Sequence, residues 1–181
     1  MKLLMLVGPS GVGKGTIVRE LRKHRTDLWL SISATTRTAR ANETHGVDYY
    51  FVTHSEFEQM IAADELLEWA EYAGNYYGTP AAPVQDHLKD GDLVVLEIEV
   101  AGARQIKQRL PDVLDVMVLP PSLADLQSRL ELRGTEGEAA RSQRLQLAQA
   151  ELAAAGEFSY CINNDTIESA IEQLLPLLPA Q

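Results

Sequence analysis

Residues 8–16 read Gly8-Pro9-Ser10-Gly11-Val12-Gly13-Lys14-Gly15-Thr16, and this stretch decides the fold. An apolar run, Leu3-Leu4-Met5-Leu6-Val7, precedes it, and a helical pattern through Ile17, Val18 and Leu21 follows. Strand, glycine-rich loop, helix is the context a phosphate-binding loop requires. Glycines let the backbone curl until successive N–H groups converge on one anion. Lys14 adds a point charge there, and the positive end of the following helix adds field. Gly15 stands where the strict pattern carries Ser or Thr, so Thr16 is the nearest hydroxyl for a magnesium ion. The stretch reads as a nucleoside triphosphate site.

Outward from the loop, apolar runs predict strands at 3–7, 93–98 and 114–119, with shorter ones at 28–33, 49–52 and 158–163. Helical spacing covers 15–25, 55–64, 80–89, 101–109, 122–132, 138–155 and 166–178. Strands alternating with helices imply an α/β fold, a parallel sheet wrapped by helices. Residues 33–83 break the alternation: they are polar, rich in Thr and Tyr, and read as an inserted subdomain. A second interruption around Arg129–Arg144 reads as a lid. The expected division is a core of 1–32, 84–125 and 151–181, the subdomain 33–83 and a lid over 126–150.

The chain has 181 residues, 45% of them hydrophobic, enough for one domain with a substantial core. Its net charge of −10 is opposite in sign to that of a sequence-independent nucleic-acid binder. With no apolar run of membrane-spanning length and one cysteine, the expectation is a cytoplasmic protein without an internal disulfide. Cys161 itself is expected to be a small buried residue on a late strand.

Three groups beyond the loop carry chemistry. In Ser33-Ala34-Thr35-Thr36-Arg37-Thr38-Ala39-Arg40, two arginines lie among hydroxyls. Guanidinium forks pair bidentately with phosphate oxygens; a solvated basic turn is the alternative. The second group is Asp48-Tyr49-Tyr50-Phe51, Glu68-Trp69 and Asn75-Tyr76-Tyr77-Gly78-Thr79. A carboxylate only accepts hydrogen bonds, so Glu68 suits the two adjacent donors of guanine and repels the acceptor N1 of adenine. Against this, a Glu-Trp-Ala helix end would carry a surface acid beside a core aromatic. The third group is Arg129, Arg133 and Arg144, cations on a segment that can close over a transferring phosphoryl group. Glu97 and Glu99 end an apolar strand on one side of it, where an acid helps hold magnesium through water or contacts an acceptor substrate.

Taken together, GPSGVGKGT, SATTRTAR, DYYF, EWAEYAGNYYGTP, RGTE with a later Arg144-Leu145, and Asn163-Asn164-Asp165 resemble the guanylate kinase family in its own order, over roughly residues 3 to 178. The resemblance implies a P-loop core, a GMP-binding subdomain, a lid, and transfer of phosphate from ATP to GMP with Mg²⁺. It implies that residues 8–16, with Asn164 near the adenine, bind ATP. It assigns the GMP phosphate to Arg37, Arg40, Tyr49 and Tyr77, and the base to Ser33, Glu68 and Thr79, with Glu99 also within reach of guanine. Lys14, Arg129, Arg133 and Arg144 would be catalytic, and Thr16 would approach the metal. The implied partners are two small-molecule nucleotides, with no nucleic acid and no membrane; the sequence singles out no subunit interface.

Two positions depart from the family pattern. Glu99 replaces the usual Asp, and Ala101 replaces a Gln two residues later, which removes an amide from that wall of the site. Two other readings stand beside the enzyme: a non-catalytic guanylate-kinase-like module that binds proteins, and a ribose-phosphate kinase of related fold. The intact loop lysine and arginines oppose the first, and Glu68 with Thr79 opposes the second.

Overall fold

The structure, a computed structural model, describes residues 2–72, 74–132 and 138–180, with side chains described outside 130–144. Strand β1 (Leu3–Val7) is the hub, because each of its residues is an apolar one with a face to bury. Leu4 and Leu6 face one layer of helices; Leu3, Met5 and Val7 face the other, and all five are at most 1% exposed. A strand covered on both faces must be continuously hydrophobic, as this one is.

Among the described residues, β1 lies between β7 (Leu93–Ile98) and β8 (Leu114–Leu119), with β2 (Leu28–Leu30) and β9 (Tyr160–Asn163) outermost. Every pairing in this five-stranded sheet is parallel. Helices α1 (Lys14–His24), α5 (Leu123–Leu132) and α7 (Ile167–Leu174) pack Ile17, Leu21, Leu126 and Ile171 on the first face. Helices α3 (Ala81–Asp90) and α4 (Val100–Arg109) pack Val84, Ala103 and Ile106 on the second. Because neighbours lie on both sides of β1 by crossover, the loop after it opens at a topological switch point, where α/β sheets bind ligands.

The three long strands and the helices follow the sequence periodicity. The last helix stops earlier than expected: α7 ends at Leu174 and a 3-10 turn, Leu175–Leu177, follows. Pro176 is the cause, since it lacks the N–H that would continue the ladder. Cys161 is exposed rather than buried, because β9 pairs on one side only and turns just Ile162 into the core.

Between β2 and α3 the chain builds a second sheet, in the order β4 (Tyr50–Phe51), β3 (Ala34–Thr35), β6 (Asn75–Pro80), β5 (Leu66–Tyr72). Its own small core is Ala34, Phe57 and Leu66, closed by helix α2 (His54–Ala62). That helix starts at a capping box in which Thr53 and Glu56 exchange side-chain and backbone bonds of 3.2 and 2.7 Å. Strand β5 is the outer edge of this sheet, and α4 satisfies part of its backbone. Gln105 donates to the Trp69 carbonyl at 2.7 Å and accepts from the Trp69 N–H at 3.2 Å, while Arg109 donates to the Leu66 carbonyl at 3.2 Å. Helix α4 thus joins the two sheets.

On the opposite side, α4 is anchored to the main sheet through Lys107, which pairs with Asp115 of β8 and donates to the Glu157 carbonyl at 2.6 Å. Asp115 is 1% exposed, so removing its partner leaves a buried carboxylate without its counter-charge. Lys107→Met is expected to lower the unfolding free energy by about 2–4 kcal/mol, measured as a shift in the urea midpoint at unchanged slope.

Candidate active site

The loop between β1 and α1 is closed by other elements binding its carbonyls. Asn164, just after β9, donates to the Val12 carbonyl at 2.8 Å, and Arg129 of α5 donates to the same oxygen at 3.3 Å. Lys14 folds back to the Gly8 carbonyl and reaches the Pro9 carbonyl at 3.3 Å. Gly13 has φ of 104°, and a Cβ there would collide with the Asn164 amide. The loop therefore requires glycine at that point on two counts, backbone and space. Three predicted residues, Lys14, Arg129 and Asn164, meet here. Arg133 lies outside the described residues, as does the side chain of Arg144.

Glu97 stands beside this loop. A Cβ on Gly15 would lie 3.5 Å from a Glu97 carboxylate oxygen, so a side chain at that position would face the acid directly. Burial raises the Glu97 carboxyl above the ordinary carboxylate range, and Lys14 and Arg22 pull it back down. Glu99 sits elsewhere: it is the N-cap residue of α4, close enough to Glu68 and Glu151 for its charge to act on both. The two carboxylates expected on one side of a strand have separate surroundings, because β7 ends between them, at Ile98, and Glu99 already caps α4, which begins at Val100.

Glu68 corrects the helix-end alternative. It lies on strand β5, 7% exposed, while its neighbour Trp69 is the exposed one at 37%. The acid is therefore the buried member of the pair and the aromatic the surface member. Thr79, fully buried on β6, donates its hydroxyl to Glu68 at 2.7 Å. Helix α4 passes so close that a Cβ on Gly102 would lie 2.5 Å from the second carboxylate oxygen. Burial pushes the Glu68 carboxyl up to about 7; the Thr79 hydroxyl opposes the rise and Glu99 adds to it.

Arg37 is held in a fork by Glu43, with both N–O distances 2.9 Å. Its guanidinium lies 5.4 Å from the Tyr49 ring centroid, and Tyr77 meets Tyr49 edge-on at 6.3 Å. Arg40 reaches Glu43 at 3.5 Å with its side chain mostly in water. Ser33 accepts the Tyr50 N–H through its carbonyl at 2.9 Å, which sets it at the start of β3. The structure thus brings Arg37, Tyr49 and Tyr77 together, and separately Glu68 and Thr79, with Arg40 at the rim.

Sequence reasoning passed over four residues that shape these sites. Glu43 orients the arginines; its i, i+3 and i, i+6 spacing from Arg40 and Arg37 was the available signal. Gly102 and Gln105 on α4 seat Glu68 and fasten β5. Glu151, on α6 (Glu138–Ala153), accepts from the Val100 N–H at 3.3 Å across 51 residues, a separation that local sequence patterns do not encode.

Carboxyls raised by burial make stability depend on pH. Glu68 moves from an ordinary 4.5 to about 7 on folding. Between those values the folded protein holds a proton that the unfolded chain has released, so its contribution to stability falls as pH rises through that window and is level above it. Urea unfolding of the parent and of Glu68→Gln across pH 5 to 8 is expected to diverge by roughly 2–3 kcal/mol, the variant gaining relative to the parent as pH rises.

The comparisons with known proteins bear on what these clusters serve. The whole chain, residues 1–181, matches the family model described as guanylate kinase. A guanylate kinase of Synechococcus sp. (strain JA-3-3Ab) is 51% identical over 177 residues, covering 98% of this chain and 82% of the relative. One of Thermosynechococcus vestitus is 52% identical over 170 residues, covering 94% and 89%. The crystal structure of guanylate kinase from Anaplasma phagocytophilum superposes with a TM-score of 0.78 at 30% identity, covering 97% of this chain and 82% of that one.

Proposed function

The chain belongs to the guanylate kinase family, and on that premise we propose that it transfers the γ-phosphate of ATP to GMP, yielding ADP and GDP. The observation that carries the choice of acceptor is the buried Glu68–Thr79 pair, an acceptor surface made by one carboxylate and the hydroxyl beside it. Guanine offers N1–H and N2–H₂ side by side, which an ionised Glu68 accepts together. Adenine turns a lone pair toward the same oxygens and is repelled. A ribose-phosphate acceptor has no planar pair of donors to match this surface.

In the proposed complex, Arg37, Arg40, Tyr49 and Tyr77 hold the GMP phosphate, and Ser33, Glu68, Thr79 and Glu99 surround the base. Residues 8–16 hold the ATP phosphates through backbone N–H groups, with Asn164 beside the adenine. Lys14 leaves the Gly8 and Pro9 carbonyls for the phosphates, exchanging neutral acceptors for anionic ones. A GMP phosphate oxygen attacks the γ-phosphorus in line as the bond to the β-phosphate oxygen breaks, so no covalent enzyme intermediate forms. Arg129, Arg133 and Arg144 neutralise the charge on the transferring oxygens. The domain division follows: core 1–32, 84–125 and 151–181, GMP-binding subdomain 33–83, lid 126–150.

The residues beside the loop suit Mg²⁺, a hard cation that prefers oxygen donors and retains water. The Thr16 hydroxyl would approach it, and Glu97, facing the empty Cβ position of Gly15, would hold one of its waters. Bound with ATP, the ion would supply positive charge that offsets the charge of the phosphates during transfer. Among the described residues no helix is long and apolar enough to cross a membrane. The same reading puts the enzyme in the cytoplasm, with ATP and GMP as its partners.

The test is a coupled assay with ATP and Mg²⁺ against GMP, AMP, UMP, CMP and a ribose bisphosphate. GMP is expected to be preferred by a wide margin; comparable turnover of ribose bisphosphate would overturn the assignment. Lys14→Ala should cut kcat by about 100-fold or more through lost stabilisation of the phosphoryl group, and near-parental turnover would sink the loop's assigned role. Glu68→Gln should narrow the ratio of kcat/KM for GMP over AMP by about 10- to 100-fold, the effect of one charge-assisted hydrogen bond.

A further inference from the structure

Helix α4 is the platform of the base pocket. Glu99 is its N-cap residue, Gly102 is the surface on which the Glu68 carboxyl rests, and Gln105 grips the strand that carries Glu68. The position of this helix therefore sets the spacing of both carboxylates that surround the base.

A helix start leaves backbone N–H groups without intrahelical acceptors, and a flanking side chain usually supplies one. Glu99 does not: at the N-cap position its side chain makes no capping bond. Glu151 of α6 reaches the Val100 N–H instead, with its side chain almost wholly out of water. It also lines a cavity together with Glu99, Ser10 of the phosphate loop and Tyr72 of the second sheet. Lys14 attracts its charge and Glu99 repels it. Burying an acid beside another acid opposes folding, so the group contributes through geometry rather than through stability.

We propose that Glu151 is a positioning residue: by capping α4 from α6, the helix whose earlier turns carry Arg144, it fixes Glu99 and the seat of Glu68 in register for guanine. Because Glu151 takes the capping bond, the Glu99 carboxylate can turn to the nucleotide. The inference rests on the reading of this pocket as the GMP site. It also makes α6 the link between the arginine segment and the base pocket, since one side chain of that helix touches the start of α4.

Steady-state kinetics with each nucleotide varied separately tests this. In Glu151→Ala the KM for GMP is expected to rise about tenfold or more, while the KM for ATP stays within about twofold. Glu151→Gln keeps an oxygen that accepts from the Val100 N–H and should remain within about threefold of the parent for both. A general loss of structure would move both KM values together, and no change in the alanine variant, or a glutamine variant as poor as it, would overturn the proposal. Should Glu151→Ala not fold, Val100→Pro removes the donor instead, at a first helical position that accommodates proline. It should reproduce the GMP-selective rise, and a parental KM for GMP in that variant overturns the capping role. Parent enzyme inactive on GMP would overturn the site reading itself. Parent activity with a Glu68→Gln selectivity change but a neutral Glu151→Ala would overturn this inference alone.

Discussion

A carboxyl group kept out of water is the constraint from which much of this architecture follows. Glu68 has Thr79 as its hydrogen-bond donor, a helix backbone against its other oxygen, and a second acid, Glu99, near enough to disfavour its charge. To hold it there, strand β5 must be fixed at its outer edge, and α4 must approach without a side chain at residue 102. Gln105 and Arg109 fix the strand, Gly102 permits the approach, and Lys107 ties the same helix to the main sheet. The second sheet is thereby referenced to the first through one helix. On the function proposed above, a site so built would trade folding free energy for a surface complementary to adjacent hydrogen-bond donors.

The phosphate loop is organised by a different economy. Its Val12 carbonyl accepts from both Asn164 and Arg129, groups far from it in the chain, so the loop is held by distant elements. Preorganised N–H groups lose little on binding and act at full strength when charge shifts during transfer. Lys14 already lies over the loop, on the Gly8 and Pro9 carbonyls.

Sequence periodicity located the main sheet because β1, β7 and β8 are buried on both faces and apolar apart from Glu97 and Asp115. It located the helices because each presents an apolar stripe, most of them to that sheet and α2 to the second one. It did not separate β5 from a helix end, because Glu68 and Trp69 invert the usual pairing of burial with polarity: the acid is inside and the indole outside. Such inversion is expected where a residue is placed for binding rather than for packing. The functional motifs were legible as local strings, but their supports were not. Glu43, Gly102, Gln105 and Glu151 act through contacts set by tertiary structure, and only the first has a spacing visible in its own neighbourhood.

The Arg37–Glu43 fork has a consequence for which anions this protein tolerates. A guanidinium already satisfied by an internal carboxylate presents little unbalanced positive charge to solution, and the chain's net charge of −10 adds a long-range repulsion of anions. A singly charged anion arriving there competes on equal terms with a group that is tethered and always present. If this cluster is the phosphate site proposed above, a doubly charged phosphomonoester supported by Tyr49, Tyr77 and Arg40 as well would compete from advantage. The internal counter-ion would then discriminate against chloride, acetate and other small singly charged anions.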